Sequence, residues 1–215
     1  MANEPKENAD SGHFSAAYDL ESGEQTKAHY ASWADSYDRE VSEENAYAQP
    51  VRVAEMVGRF VSDTDALILD AGCGSGLSGT ALAASGFRHL HGCDFSQEML
   101  AKAAEKGVYA KLFAADLNAG LPDVDSQTFD VVTCVGVFSF GHVEPDACDE
   151  LLRVLKPGGF LIIALNDPFW QRGDLASKIE QLEGDKRVIV RAKEFGDHLP
   201  GHNVMGWVIA LEKTS

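Results

Sequence analysis

The fold of this chain is decided by the stretch Ala66-Leu67-Ile68-Leu69-Asp70-Ala71-Gly72-Cys73-Gly74-Ser75-Gly76. A short apolar run ends on an acid, glycine then takes every second position, and Leu77-Ser78-Gly79-Thr80-Ala81-Leu82 follows with the composition of a helix. The run has the length and apolarity of a buried parallel strand. The glycines allow a sharp turn and a close approach of a ligand to the main chain, and the first turn of the helix offers unpaired N–H groups. The stretch therefore predicts a strand, loop and helix that cradle a nucleotide-like ligand.

Strand-like and helix-like segments alternate outward from this stretch. We expect parallel strands over 66–70, 89–94, 109–115, 129–135 and 160–165, and helices over 48–61, 77–85, 96–107, 145–155 and 174–183. A turn over 156–159 precedes the fifth strand, and two last strands over 187–192 and 204–211, joined by a loop over 196–203, predict a hairpin. The pattern predicts an α/β fold, a mostly parallel seven-stranded sheet with a C-terminal β-hairpin and helices on both faces. Ligands of such sheets bind beyond the carboxyl ends of the strands.

The chain divides into a short tail and one domain. Residues 1–22 are polar and acidic, and we expect a tail that is disordered or forms a lid. A helical spacing of aromatic residues, among them Trp33 and Tyr37, follows over 24–41. The length then predicts a single domain over 23–215.

Composition and charge bound what the chain can bind. The 215 residues carry a formal net charge of −16, which disfavours nucleic acid and anionic membranes as partners. No apolar run approaches the roughly 20 residues that cross a bilayer, and the first residues lack the features of a secretory signal. Four cysteines without C-x-x-C spacing predict free thiols in the cytoplasm. The histidine spacing predicts no metal site.

Two ligand classes compete for the glycine-rich loop. Gly74, Gly76 and Gly79 match the G-x-G-x-x-G pattern of dinucleotide-binding proteins, and Asp94 follows at the spacing of a ribose-binding acid. Asp70 argues against a dinucleotide, because a carboxylate about 4 Å from a phosphate costs roughly 4 kcal/mol at an effective dielectric near 20. A ligand with ribose, adenine and a cationic amino-acid tail suits both acids. S-adenosylmethionine is such a ligand, and a nicotinamide dinucleotide is the alternative.

Four segments carry a family resemblance. Leu69-Asp70-Ala71-Gly72-Cys73-Gly74-Ser75-Gly76 resembles motif I of the class I S-adenosylmethionine-dependent methyltransferases. The other three, which match in order and spacing, are Gly92-Cys93-Asp94-Phe95-Ser96, Ala114-Ala115-Asp116-Leu117 and Leu151-Leu152-Arg153-Val154-Leu155-Lys156-Pro157-Gly158-Gly159-Phe160. Tyr30-Ala31-Ser32-Trp33-Ala34-Asp35-Ser36-Tyr37-Asp38, with Leu90-His91-Gly92 and Phe129-Asp130, is similar to the Williams–Beuren-region methyltransferase-like proteins. The resemblance spans about residues 30–165 and implies a Rossmann-like methyltransferase fold.

The resemblance also implies a role for each cofactor-binding residue. Asp70, Gly72 and Gly74 would form the floor under the methionine tail, and Asp94 would hold the ribose hydroxyls. The remaining implied contacts are Phe95, Met99, Asp116 and Leu117 around adenine, and Tyr37 closing over the cofactor. Two alternatives stay open at this point, since Asp94 could cap the following helix and Tyr37 could simply pack.

Catalytic residues are harder to predict. Methyl transfer is an in-line displacement whose reactivity the cofactor supplies, so a general base is optional. His142, in the loop over 136–144, could deprotonate an acceptor near neutral pH or have no chemical role. An aromatic set could line an apolar pocket or fill the rim of the core: Phe138, Phe140, Phe169 and Trp170.

The sequence thus predicts a cytoplasmic S-adenosylmethionine-dependent methyltransferase acting on a small-molecule acceptor. An NAD-dependent oxidoreductase on the same kind of sheet is one alternative. The other is a protein that binds S-adenosylmethionine without transferring its methyl group.

Overall fold

The structure is a computed structural model that describes Asp38 and residues 46–139 and 143–214. The predicted tail over 1–22, nearly all of the predicted helix over 24–41, and residues 140–142 of the loop after the fourth strand lie outside the described residues. Two predicted site residues, Tyr37 and His142, are therefore outside them.

A single seven-stranded sheet organises the described residues, in the order β3-β2-β1-β4-β5-β7-β6. Its strands are β1 (Leu67–Ala71), β2 (His89–Asp94), β3 (Tyr109–Ala114), β4 (Phe129–Val135), β5 (Leu155–Asn166), β6 (Val188–Leu199) and β7 (Val204–Lys213). The helices are α1 (Gln49–Phe60), α2 (Leu77–Ala84), α3 (Gln97–Glu105), α4 (Ala147–Val154), α5 (Asp167–Trp170) and α6 (Asp174–Gly184). A 3₁₀ turn over Pro200–His202 joins the last two strands.

Strands β1 to β5 are parallel, and β7 runs antiparallel to both β5 and β6. The predicted Rossmann-like sheet with a C-terminal hairpin is therefore confirmed. Strand β1 lies between β2 and β4, where the order of the strands along the sheet reverses. Such a reversal opens a crevice beyond the carboxyl ends of the strands, and the glycine-rich loop begins there.

The side chains of the sheet alternate between two cores because successive residues of a strand face opposite ways. Leu69 and Ile163 point into a first core with α4 and α6, whereas Ile68 and Ile162 point into a second core with α1 and α2. Helices therefore cover both faces, as predicted. This double burial explains why the parallel strands read as continuous apolar runs.

Strand β5 begins five residues earlier than predicted. The expected turn over 156–159 lies inside it as a bulge, where the pairing with β4 jumps from Phe129–Leu155 to Val131–Phe160. The bulge stays against β4 because Gly159 lacks a side chain. A Cβ atom there would lie 2.6 Å from the carbonyl oxygen of Asp130.

One further boundary was wrong, and one helix was missed. Strand β6 continues through the first half of the loop predicted over 196–203, because its pairing with β7 extends to Leu199 and Val204. The short helix α5 was not predicted, although its cap is visible in the sequence. The side chain of Asn166 accepts a hydrogen bond of 2.8 Å from the Phe169 N–H, and Pro168 occupies the first turn.

Among the helices of the described residues, none combines the length and apolarity that crossing a bilayer requires. All four cysteines are free and buried.

Replacing Leu151 by alanine should destabilise the fold strongly. Leu151 on α4 is fully buried in the first core, so Leu151→Ala should lower the free energy of unfolding by about 2–5 kcal/mol. Val51 on α1 is 56% exposed, and Val51→Ala should change it by no more than about 0.5 kcal/mol. Denaturant unfolding measures both variants, and equal losses would contradict the assignment of the core.

Candidate cofactor-binding site

The glycine-rich loop joins β1 to α2 with three left-handed backbone positions. Gly72, Gly74 and Gly76 have φ values of +73°, +52° and +92°, a region that side-chain-bearing residues rarely adopt. The N–H groups of Gly72 and Cys73 both donate to the Cys93 carbonyl of β2, at 2.8 and 2.9 Å. The loop is thus tied to the neighbouring strand.

Among the described residues, Gly74 is the one loop glycine with no neighbour in the place of its missing side chain. A Cβ atom on Gly72 would lie 2.4 Å from Val137 Cγ2, and one on Gly79 would lie 2.2 Å from the Tyr109 hydroxyl oxygen. At Gly74 no described residue lies within 4 Å of such an atom. Gly72 and Gly79 are therefore required by packing, whereas the main chain at Gly74 is accessible to a ligand.

Asp70 lies beneath the loop, inside the protein. Its carboxylate accepts hydrogen bonds from Ser78 of α2 at 2.6 Å, from Tyr109 of β3 at 2.6 Å and from Thr133 of β4 at 3.0 Å. The residue has no solvent-exposed surface, and burial raises the pKa of Asp70. The side chain therefore organises the loop and helix from below.

Asp94, at the carboxyl end of β2, holds the loop from the side. One carboxylate oxygen accepts a hydrogen bond of 2.9 Å from the Gly74 N–H, and the other accepts one of 2.9 Å from the Ser96 N–H. Helix α3 is capped by Ser96, whose hydroxyl accepts from the Met99 N–H at 3.2 Å. Asp94 is therefore not the cap of α3, and each of its oxygens keeps a further lone pair. Burial raises the pKa of Asp94.

The turn after β3 lies next to Asp94. The N–H of Ala115 donates to the Asp94 carbonyl at 3.0 Å. Asp116 is exposed and accepts from the Asn118 N–H at 2.9 Å, whereas Leu117 is buried. The structure therefore brings two of the predicted cofactor-binding acids, Asp94 and Asp116, to the carboxyl ends of the neighbouring strands β2 and β3.

The remaining predicted side chains are largely buried. Phe95 is half-buried and Met99 is buried. Of the aromatic set, Phe138 and Phe169 lie in the first core, and Trp170 packs partly exposed against it. These two phenylalanines therefore follow the second predicted alternative, filling the core, whereas Phe140 lies outside the described residues.

A third carboxylate at the loop was not predicted. Asp38 accepts hydrogen bonds from the Ser75 hydroxyl and from the Lys106 ammonium group. Ser75 is buried between Gly74 and Gly76, so Asp38 anchors the loop from the side of the residues that precede α1. Nothing in the local sequence identifies this contact, since Asp38 and Ser75 are 37 positions apart.

A buried polar cluster lies at the same edge of the sheet, at the start of α1. His198 of β6 and Gln49 of α1 are both buried, with His198 Nδ1 2.9 Å from Gln49 Nε2. The amide nitrogen is a donor, so Nδ1 accepts and the proton of the neutral imidazole is on Nε2. Burial and the nearby Arg52 charge lower the pKa of His198 to about 4.

Across Asp38 and residues 46–139 and 143–214, no three His, Cys, Asp or Glu side chains are grouped so that they could hold a metal ion.

Comparison with known proteins gives a match for part of the chain. A family model described as a methyltransferase domain matches residues 68–159, from β1 into β5. These residues thus carry a methyltransferase domain, which supports the predicted resemblance to the class I S-adenosylmethionine-dependent methyltransferases. S-adenosylmethionine is the cofactor of this class, and the open main chain at Gly74 beside Asp94 fits an adenosine-bearing ligand.

Two curated relatives illustrate the match to this methyltransferase domain. Methyltransferase-like protein 27 from Homo sapiens is 37% identical over 136 residues, which cover 62% of this chain and 55% of the relative. Demethylmenaquinone methyltransferase from Clavibacter sepedonicus is 43% identical over 107 residues, covering 45% of this chain and 39% of the relative. The chain thus spans about half or less of the curated relatives it matches.

A solved structure shows the same methyltransferase fold. The TehB-like S-adenosylmethionine-dependent methyltransferase from Corynebacterium glutamicum superposes with a TM-score of 0.61 at 18% identity, covering 87% of this chain and 99% of that chain. At this identity the likeness concerns the fold alone.

A methyl group on Gly74 should block the cofactor without unfolding the protein. Gly74→Ala costs about 1 kcal/mol of stability for an L residue at positive φ, and its side chain occupies the open space above the loop. We expect S-adenosylmethionine to bind at least tenfold more weakly by calorimetry. Gly158, in the β5 bulge, has a φ of +75° and equally open surroundings. Gly158→Ala should therefore show similar strain with unchanged affinity, and equal affinities of the two variants would contradict the location of the site.

His198 should make the fold sensitive to acid. The pKa of His198 is about 4 in the folded chain, against an ordinary value of 6.5, so the unfolded chain binds the proton more readily. Its contribution to stability is complete above pH 6.5 and is lost as the pH falls towards 4, by about 3 kcal/mol in total. Denaturant unfolding at several pH values should show this loss in the wild type and a shallower one in His198→Gln. Identical slopes would contradict the buried neutral imidazole.

Proposed function

We propose that the chain transfers the methyl group of S-adenosylmethionine to a small-molecule acceptor. The observation that carries the proposal is the glycine-rich loop of a methyltransferase domain, open at Gly74 and flanked there by the Asp94 carboxylate. Because the chain matches about half or less of its curated relatives, its activity and its acceptor are both part of this proposal.

The predicted cofactor contacts are compatible with the positions of the described residues. We infer that Asp94 binds the ribose hydroxyls with the lone pairs that its bonds to the Gly74 and Ser96 N–H groups leave. Asp116 would accept from the adenine amino group, with Phe95, Met99 and Leu117 around the ring. Asp70, Gly72 and Gly74 would support the methionine tail. Tyr37 closing over the cofactor stays a prediction.

Charge favours a cationic cofactor over a dinucleotide. Three carboxylates bond to the loop or to the first turn of α2: Asp38 at Ser75, Asp94 at Gly74 and Asp70 at Ser78. Lys106 is paired with Asp38, so it does not supply a separate phosphate site. A carboxylate about 4 Å from a phosphate costs about 4 kcal/mol at an effective dielectric of 20. The surroundings of the loop therefore support S-adenosylmethionine against the nicotinamide alternative.

The proposed chemistry requires alignment above all. When bound, S-adenosylmethionine supplies a methyl group on a positively charged sulfur. The loop would hold the cofactor, and residues at the carboxyl ends of β4 and β5 would place the acceptor in line with the methyl group. Positioning of this kind supplies several kcal/mol of the barrier reduction. His142 as a general base remains a prediction.

The net charge of the chain supports a small-molecule acceptor more than the names of its curated relatives do. One curated relative is named for demethylmenaquinone, and another for an 18S rRNA guanine. A formal net charge of −16 opposes the phosphate contacts on which nucleic-acid binding depends. A cytoplasmic location is part of the same proposal, since buried free thiols suit a reducing compartment.

Calorimetry with S-adenosylmethionine and NADH tests the cofactor. We expect micromolar binding of S-adenosylmethionine, no binding of NADH, and at least tenfold weaker S-adenosylmethionine binding for Asp94→Asn. Asp123 is an exposed acid in the loop between β3 and β4, so Asp123→Asn makes the same charge change away from the site and should bind normally. Binding of NADH alone would overturn the proposal.

Methyl-labelled S-adenosylmethionine then tests the acceptor. The labelled cofactor is incubated with the protein and with phenols, catechols, amines, thiols or total RNA. Label in a small molecule supports the proposed class, whereas label only in RNA overturns it. Cofactor binding without any labelled product would indicate the non-catalytic alternative.

A further inference from the structure

A tyrosine hydroxyl lies against the loop that follows β4. Gly136 is the first residue after that strand and has a φ of +71°, and a Cβ atom on it would lie 2.7 Å from the Tyr47 hydroxyl oxygen. The next residue, Val137, packs against Gly72 of the glycine-rich loop. Tyr47 and the glycine-rich loop thus touch consecutive residues at the carboxyl end of β4.

This position places Tyr47 at the carboxyl end of β4, across β1 from Asp94. Asp94 flanks the loop from β2, on one side of β1, whereas Gly136 follows β4, on the other side. The ribose end of a cofactor held by Asp94 would therefore lie away from Tyr47. A second reactant that approached the loop from the β4 side would therefore meet Tyr47.

The ring of Tyr47 is held from behind by the buried cluster. It packs edge-on against His198, with ring centroids 5.2 Å apart and an interplanar angle of 70°. The Gln49 side chain fixes the His198 ring, and the Ala48 N–H donates to the His198 carbonyl at 3.0 Å. The main-chain hydrogen bond therefore fixes Ala48, the residue after Tyr47. The Gln49 side chain fixes the His198 ring, on which the Tyr47 ring packs.

The backbone of β6 and β7 lies close against the His198 and Gln49 side chains. Arg52 donates to the carbonyl oxygens of Asp197 at 2.8 Å and of Glu194 at 3.0 Å, which fastens β6 to α1. A Cβ atom on Gly206 would lie 2.6 Å from Gln49 Nε2. Burying an amide and an imidazole costs free energy unless each finds its partners, and here the two groups are 2.9 Å apart. The cluster therefore gives the Tyr47 ring a fixed surface to pack on.

We propose that the Tyr47 hydroxyl binds the nucleophilic hydroxyl or amine of the methyl acceptor, with His198 and Gln49 as positioning residues behind it. A neutral tyrosine hydroxyl can donate to or accept from such a group. The lone pair of the acceptor's heteroatom would form a bond to the methyl carbon as the carbon–sulfur bond breaks, the electron pair of the broken bond would stay on the sulfur, and the acceptor's proton would pass to water. This proposal rests on the proposed function.

Tyr47→Phe tests the role of the hydroxyl. With the phenol, catechol or amine that the wild type methylates best, we expect kcat/KM to fall about tenfold, the value of one lost hydrogen bond. The affinity for S-adenosylmethionine, measured by calorimetry, should stay within about twofold, because the hydroxyl lies away from Asp94. Phe195→Leu removes an exposed ring from β6 and should leave both quantities unchanged.

A double-mutant cycle tests the positioning residues. His198→Phe keeps a ring beside Tyr47 but loses the bond to Gln49, and we expect kcat/KM to fall by less than in Tyr47→Phe. In Tyr47→Phe/His198→Phe the two losses should not multiply, because His198 acts through the hydroxyl. A merely structural role would give multiplying losses and overturn this part.

The outcomes separate this proposal from the one on which it rests. Failure of the wild type to bind S-adenosylmethionine, or to methylate any acceptor, overturns both. Methylation by the wild type with an unchanged kcat/KM in Tyr47→Phe overturns only the role of Tyr47.

Discussion

The arrangement of the nucleotide-binding edge depends on one buried carboxylate. Asp70 accepts hydrogen bonds from α2, β3 and β4, three elements that are well separated in the sequence. Removing a carboxylate from water is costly, and the cost is offset only when all of its donors are in place. The position of the first turn of α2 is thereby linked to the register of the sheet. The glycine-rich loop has its shape because both of its ends are fixed in this way.

Three acids hold the glycine-rich loop and the helix that follows it at different points. Asp70 stabilises the loop from below, Asp94 fixes Gly74 from the side, and Asp38 joins Ser75 to a residue outside the sheet. All three carboxylates accept hydrogen bonds from groups of the protein itself. Together they give the cradle a negative environment while its floor is main chain, which suits a ligand that combines neutral adenosine with a positive tail.

Local patterns predicted most of the fold and part of the site. Strand β1, the alternating glycines and the Ser96 cap follow from apolarity, φ requirements and capping chemistry, all of which act over a few residues. The bulge in β5 and the extension of β6 depend on partner strands, so the local sequence does not show them. The same holds for Asp38 at Ser75 and for Tyr47 at Gly136. The burial of Asp70 had a partial signal, since Thr133 places a hydroxyl within the apolar run 131–135 of β4.

The order of the strands also has a consequence for assembly during synthesis. Strand β7 leaves the ribosome after β6 yet lies between β5 and β6, and it supplies the pairing through which β6 joins the sheet. The parallel strands β1 to β5, with the glycine-rich loop, can therefore pair before β7 is made. His198 belongs to β6 and reaches its place against α1 only afterwards. The nascent protein would acquire its nucleotide cradle first and the support for Tyr47 last.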